Sequence, residues 1–357
     1  MLVFAPLALT NVFFSLAFAT ILWRFNRSSD LAPAEIILYS AGTGPILASL
    51  VLYYSLLLVP HQANGVYLAI IVSFALALAV VGRRSISQMA QAFGQWWRRS
   101  WRSFNETPVT RKMGIVLFWL LLLSLLSGYL WMYGNHTLHT PLEGHDVLQY
   151  AVMGKIFYQE KAIEFHGYRP YEKTGFYSRN SHAPSFSLLA TWERLLNSVL
   201  GVDQDLYFKS TGAFYGLCIV FVFLFHLARR SRLLALLGLL ALFSGLGFFL
   251  TLVTFHLDSF RMFFLLVSWI LLAKSVMKRS RYLVAAMAVF SGFAAFAHSL
   301  GAIVAGLNVL ALLIFYEGDW KEKLRLGAMT AAIILACGGI HYVIDTFWGT
   351  GWILLRG

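Results

Sequence analysis

Two carboxylates and an imidazole stand together at Leu142-Glu143-Gly144-His145-Asp146, directly after an apolar run ends. A carboxylate at a membrane surface can take a proton from an incoming hydroxyl or help hold a divalent cation. Asp146 also reads as the N-cap of the helix that follows. A second acidic point lies at Phe255-His256-Leu257-Asp258-Ser259-Phe260-Arg261. There Asp258 and Arg261 are either site residues or a helix cap and a headgroup anchor. His298, in Ala297-His298-Ser299-Leu300-Gly301, closes a further apolar run, as a site group or as a hydrogen-bonded turn residue.

The elements that must position these groups are hydrophobic helices. Of 357 residues, 59% are hydrophobic and only 12% charged, with a mean hydropathy of +0.69. A soluble domain of this size needs far more charge on its outside. The apolar residues come in blocks of roughly twenty, the length that crosses a hydrocarbon core of about 30 Å. Hydropathy and charged boundaries predict about ten transmembrane helices: 2–23, 34–59, 65–82, 114–133, 207–228, 233–255, 262–277, 282–298, 301–316 and 326–344. The first reads as a retained helix rather than a signal peptide, because no basic region precedes it and Arg24 and Arg27 follow. Cys218 and Cys337 both fall inside spans and suggest neither a disulfide framework nor a zinc site.

The net charge of +12 excludes little by itself, but its placement argues for sidedness rather than for nucleic acid. Arg83, Arg84, Arg98, Arg99, Arg102, Arg111 and Lys112 crowd one linker. Arg229-Arg230-Ser231-Arg232, Lys278-Arg279-Ser280-Arg281 and Lys321-Glu322-Lys323-Leu324-Arg325 fall on the same side if every marked span crosses. Within the basic linker, Gln95–Arg102 mixes tryptophan and arginine like an amphipathic helix in the headgroup layer. The opposite side receives Gly134–Leu206, the Phe255–Arg261 corner, the His298–Gly301 turn and the C-terminus. The long loop is rich in carboxylates, bases and histidines, and its segments Val147–Glu160 and Pro184–Gly201 have the pattern of interfacial amphipathic helices. A loop of that length with helical patterning is more often functional than a plain connector. The spans themselves read as free of a buried acid–base ladder of the kind proton-coupled transport often needs, with Lys274 snorkelling to the surface.

Taken in order, residues 114–316 resemble the polytopic GT-C glycosyltransferases, which include protein O-mannosyltransferases and lipid A aminoarabinose transferases. The motifs behind the resemblance begin with a span leading outward to Asp146-Val147-Leu148-Gln149-Tyr150-Ala151. A membrane-hugging Ser181-His182-Ala183-Pro184-Ser185-Phe186-Ser187-Leu188-Leu189 follows, then a span ending in the basic cluster of Phe221–Arg230. The last two are the outward turn His256-Leu257-Asp258 and a glycine-containing span, Ser291-Gly292 to His298 and Gly301. Where the family commonly carries an acidic pair, this chain has His145-Asp146. Residues 1–113 form a three-span region with the basic linker, and 317–357 hold a last span and a short end.

The resemblance implies transfer of a sugar from a polyprenyl-phosphate donor to a glycan, lipid or protein acceptor. The reaction would face the periplasm, the extracellular space or a secretory lumen. Asp146 would act as general base, with Asp258 beside it as an orienting carboxylate. Arg261, Lys209, Arg179 and His298 would meet the lipid phosphate, and Glu143, His145 and His182 would shape the substrate site. A divalent metal, Mg or Mn, is an open requirement, membrane lipids are partners, and nucleic acid is not. Three other readings use the same residues: a transporter or flippase of a lipid-linked saccharide, an O-antigen ligase or polymerase type of enzyme, and a structural subunit of a glycosylation complex.

Overall fold

The structure, a computed structural model, describes residues 8–26, 30–136, 145–163, 184–201, 206–245 and 257–348. Every regular element among them is helical. A π-helical run, Ala8–Phe14, leads into α1 (Ser15–Phe25); α2 (Pro33–Ala41), α3 (Thr43–Leu58), α4 (Asn64–Asn105) and α5 (Val109–His136) follow. Then come α6 (His145–Glu160), α7 (Ser185–Leu200), α8 (Leu206–Ala228), α9 (Arg232–Ser244) and α10 (Leu257–Lys278). The chain continues through α11 (Arg281–Ala297), α12 (Ser299–Phe315) and α13 (Trp320–Ile334) to a π turn, Leu335–Gly339, and α14 (Ile340–Trp348). The chain is an all-α, multi-pass integral membrane protein.

Ten spans were expected, and the described residues hold fewer. Five helical segments are long and apolar enough to cross: α4, Lys112–Trp131 of α5, Phe208–Ala228 of α8, Asp258–Lys278 of α10, and Trp320–Asp345. A sixth is formed if α2 and α3, bent by 51° at their junction, count as one. The other four expected spans appear as shorter apolar helices, Thr10–Phe25, Arg232–Leu242, Arg281–Ala297 and Ser299–Phe315. Arg281–Ala297 and Ser299–Phe315, which are bounded by described residues, rise only about 26 Å at 1.5 Å per residue, short of the hydrocarbon thickness. For α11 the reason is its place in the bundle. It packs against α10, α12 and α13 and buries residues all round, from Leu283 and Val284 to Phe296 and Ala297. A helix apolar on every face inside a protein needs only the length of its neighbours.

Two breaks have local causes. At the α2–α3 bend Pro45 cannot donate in the first turn of α3, and the Gly42 carbonyl accepts a hydrogen bond from Tyr215 Oη at 2.7 Å. Between α13 and α14, Gly338 adopts φ +125°, where a β-carbon would run into the Phe296 ring. That conformation is essentially a glycine property.

Side-chain contacts sort the helix ends into two sets. At one end the Lys278 ammonium and the Ser280 hydroxyl reach Asp30, Tyr282 Oη donates to the Leu22 carbonyl at 2.9 Å, and Arg281 pairs with Glu322 at 2.8 Å. At the other, His61 N–H donates to the Lys161 carbonyl at 2.8 Å and Trp192 Nε1 donates to Thr10 Oγ1 at 2.7 Å. Each expected basic loop that can be followed falls in the first set.

Two helices differ from expectation in their surroundings. α4 is one unbroken helix of 42 residues, about 63 Å long, so the Trp/Arg segment is the outer half of a spanning helix and not a separate one. α7 does not lie on lipid. Phe186, Leu188, Leu189, Trp192 and Leu195 are all buried, because α3, α6 and α8 surround it.

Sidedness is testable by labelling. With Cys218 and Cys337 replaced by serine, an impermeant thiol reagent added to intact cells should modify Gln62→Cys directly. Ser100→Cys should react only after permeabilisation; equal labelling of both positions in intact cells would overturn the two-ended arrangement.

Candidate functional site

The end opposite the basic loops is built around one aromatic ring. Phe186, at the start of α7, packs against Tyr150 of α6 (centroids 5.4 Å apart), Phe208 of α8 (5.2 Å) and Phe260 of α10 (5.8 Å). Phe260 also meets Tyr215 edge-on at 4.7 Å. Edge and tilted pairs at these separations are the favoured aromatic geometries. The starts of four helices, within their first two turns, are thereby fixed to one another. α6 and α7 approach closely because residue 154 is glycine: a β-carbon there would stand 2.5 Å from the Ser187 carbonyl oxygen. Thr191 Oγ1 donates to the Gly154 carbonyl at 3.0 Å across the same contact.

On this frame Asp258, Arg261 and His298 come together. Ser259 Oγ donates to the Gly212 carbonyl at 3.0 Å, so both neighbours of the Asp258–Arg261 turn, Ser259 and Phe260, are buried anchors. Arg261 Nη2 donates to Asp258 Oδ1 within the first turn of α10. The Arg261 side chain is 18% exposed and that of Asp258 41%, so the carboxylate faces outward and the guanidinium runs inward. Arg261 Nη1 lies 3.4 Å from His298 Nδ1, and the same Nδ1 accepts from Leu300 N–H at 3.0 Å. His298 is thus the N-cap of α12 as well as a neighbour of Arg261. With Nδ1 receiving two donors, the neutral ring carries its proton on Nε2. Arg261 Nε is buried and has no hydrogen-bond partner among the described residues.

Lys209 stands one turn into α8, next to Phe208, whose ring is part of the aromatic frame. Asp146 is the second residue of α6 and His145 the first, one turn before Tyr150; their side chains lie outside the described residues. Glu143, Arg179 and His182 also lie outside the described residues. Among those described, no three His, Cys, Asp or Glu side chains gather to hold a metal ion. No family model, curated protein or solved structure matches the chain.

Glu193 lies in Pro184–Gly201, the segment expected to be interfacial, yet its side chain is inside the bundle. It is 3% exposed, and its Oε2 accepts from Phe208 N–H at 3.2 Å. A carboxylate at that position satisfies one of the unpaired donors of the first turn of α8 and opposes the positive end of its dipole.

Charge does lie inside two of the expected spans, as a cluster at the basic end, and Lys274 does not snorkel as expected. At the basic end Glu35 of α2, its side chain 2% exposed, pairs with Lys274 of α10. Arg229 lies 3.6 Å and His226 3.9 Å from the same oxygen. Its other oxygen accepts from Ala32 N–H at 2.9 Å, and Tyr39 Oη, 3.4 Å from Glu35, is 2.7 Å from His226 Nε2. Lys274 therefore turns inward instead of snorkelling to lipid headgroups. The sequence carried a signal for Glu35. Ala32-Pro33-Ala34-Glu35 has proline at the first helical position and Glu at the third, the pattern of a helix start with a carboxylate folding back. Nothing in the sequence pairs it with Lys274, 239 residues away.

Removing Lys274 takes the nearest cation from a buried carboxylate and leaves it only the more distant Arg229 and His226. Breaking a buried pair typically costs about 3 kcal/mol or more, whereas removing both partners is close to neutral. Lys274→Met should therefore lower the thermal stability of the detergent-solubilised protein sharply. Adding Glu35→Gln should restore most of the loss in the same melting assay.

Proposed function

We propose that the chain is a GT-C-type membrane glycosyltransferase. It transfers a sugar from a polyprenyl-phosphate carrier to an acceptor at the membrane surface opposite its basic loops. The observation that carries this reading is the convergence of Asp258, Arg261 and His298 at the same end as the start of α6, where Asp146 lies. A lipid-linked donor keeps its tail in the bilayer and presents its phosphate at the level of the helix ends, which is the level of this triplet.

The chemistry assigned to these residues is a single displacement. The Asp146 carboxylate accepts the proton of the acceptor hydroxyl as that oxygen attacks the anomeric carbon. The bond from that carbon to the phosphate oxygen breaks, its electron pair leaves with the lipid phosphate, and the configuration inverts. Arg261 supplies positive charge to the departing phosphate. Asp258 holds one arm of the guanidinium and His298 the other, so both act as positioning residues. The lipid-linked phosphate also gives the buried Arg261 Nε, which has no hydrogen-bond partner among the described residues, an acceptor. Lys209 adds a second cation near the mouth of α8. By the positive-inside rule, this surface faces the periplasm, the extracellular space or a secretory lumen.

Transport of a lipid-linked saccharide is the second reading, and the Glu35–Lys274–His226 cluster favours it, since buried ionisable groups in a bundle commonly mark a transport pathway. One assay separates the two. Purified protein in proteoliposomes is given polyprenyl-phosphate sugars, and both product formation and donor sidedness are followed. Asp146→Asn should lower transfer by about 10²–10⁴-fold, the usual worth of a general base, with donor binding retained. Arg261→Gln should lower it by about 10²-fold or more. Movement of the donor between leaflets with no transferred product would establish the transporter instead.

A further inference from the structure

Away from that surface, at the basic end, a cavity of about 810 Å³ opens between the outer half of α4 and the first half of α5, with the start of α9 at its edge. Its apolar side includes Trp119 and Leu120 of α5, which lie inside the candidate span Lys112–Trp131. Its other side carries Trp97 and Trp101, stacked with centroids 6.5 Å apart and each 56% exposed. Arg99 and Arg232 also line it, and among its described lining residues there is no carboxylate. The surrounding stretch from Arg83 to Lys112 has seven Lys and Arg residues against the single carboxylate of Glu106.

This combination differs from an ordinary lipid-facing helix surface in three ways. It is concave, it is walled by tryptophan, which favours the headgroup level of a bilayer, and it has guanidinium groups from two separate helices at one apolar cleft. A planar guanidinium binds phosphate oxygens in pairs, and two of them beside a hydrocarbon slot match one ligand chemistry, a phosphate ester on an acyl chain. We infer that this groove is a binding site for an acidic glycerophospholipid, with an acyl chain along Trp119 and Leu120 and the phosphate held by Arg99 and Arg232. The inference is independent of the transferase reading, because it concerns the opposite end of the molecule.

The test uses the full chain in nanodiscs. Phosphatidylglycerol brominated on its acyl chains is included as a minority lipid, in parallel with the same amount of brominated phosphatidylcholine, and tryptophan fluorescence is read. The acidic lipid should quench more strongly than the neutral one, and replacing the four groove tryptophans, Trp96, Trp97, Trp101 and Trp119, by phenylalanine together should remove that excess. Arg99→Gln with Arg232→Gln should lower the preference by about fivefold per arginine, the usual worth of a basic residue at an anionic surface. Arg83→Gln with Arg84→Gln, on the same helix but outside the groove, should leave it in place. Equal quenching by the two lipids would overturn the site, as would an equal loss of preference in both arginine pairs, which would mean general surface attraction. A groove filled by a second copy of the chain would also show no lipid preference, together with cross-linking through Trp101→Cys.

Discussion

The side chain of Phe186 has neighbours from three other helices, and the opposite-end surface depends on it. Its ring touches Tyr150, Phe208 and Phe260, which stand in the second turn of α6 and the first turns of α8 and α10. In a bilayer the apolar drive that assembles a soluble core is weak between spans, since lipid tails are as apolar as leucine. Helix ends are then fixed by close packing and by hydrogen bonds, and a short helix such as α7 can supply both at once. Its apolar residues fill the space between span ends, Trp192 reaches Thr10, and Glu193 reaches the first turn of α8.

The two ends of the bundle solve different electrostatic problems. At the basic end one deeply buried carboxylate, Glu35, is surrounded by Lys274, Arg229 and His226. The desolvation cost of a buried carboxylate is offset there by several cations and by two hydrogen-bond donors, Ala32 N–H and Tyr39 Oη. At the other end the inward group is a cation. Arg261 has Asp258 on one arm and the His298 ring on the other, and among the described residues Nε has no partner. A closed cluster of this kind is suited to joining α2, α8 and α10. An open one, in which a guanidinium nitrogen remains unpartnered, is suited to meeting an anion.

The membrane character, the helix positions and the pairing of basic loops at one end were legible from hydropathy and charge alone. Each of the ten apolar segments appears as helix within the described residues. Their role as spans was less legible, because hydropathy registers an apolar environment and does not distinguish lipid from protein. Phe296 and Ala297 of α11 are as buried by neighbouring helices as they would be by acyl chains. The same ambiguity placed α7 on the membrane surface, since Trp192 and Glu193 look interfacial until Thr10 and Phe208 are brought beside them. Of the site, the Asp258–Arg261 pair lies within one helical turn and was visible as such. The approach of His298 was expected only as a shared side, and Glu35–Lys274 spans a sequence separation over which no local pattern operates.

The sidedness of charge bears on what the opposite-end surface can bind. Basic clusters mark one end, and among the described residues at the other Arg261 is a cation only 18% exposed with a carboxylate one turn away. A cation held inward by its own carboxylate neighbour, as Arg261 is by Asp258, is neutralised on one arm and oriented by it. An incoming phosphate meets the remaining nitrogens in a fixed direction, with little side-chain entropy left to lose. Such an arrangement favours a ligand whose charge arrives at a constant depth, and a phosphate tethered to a membrane-embedded chain does so. A freely diffusing phosphate gains less from a cation set at the level of helix ends, because nothing in its own structure holds it there.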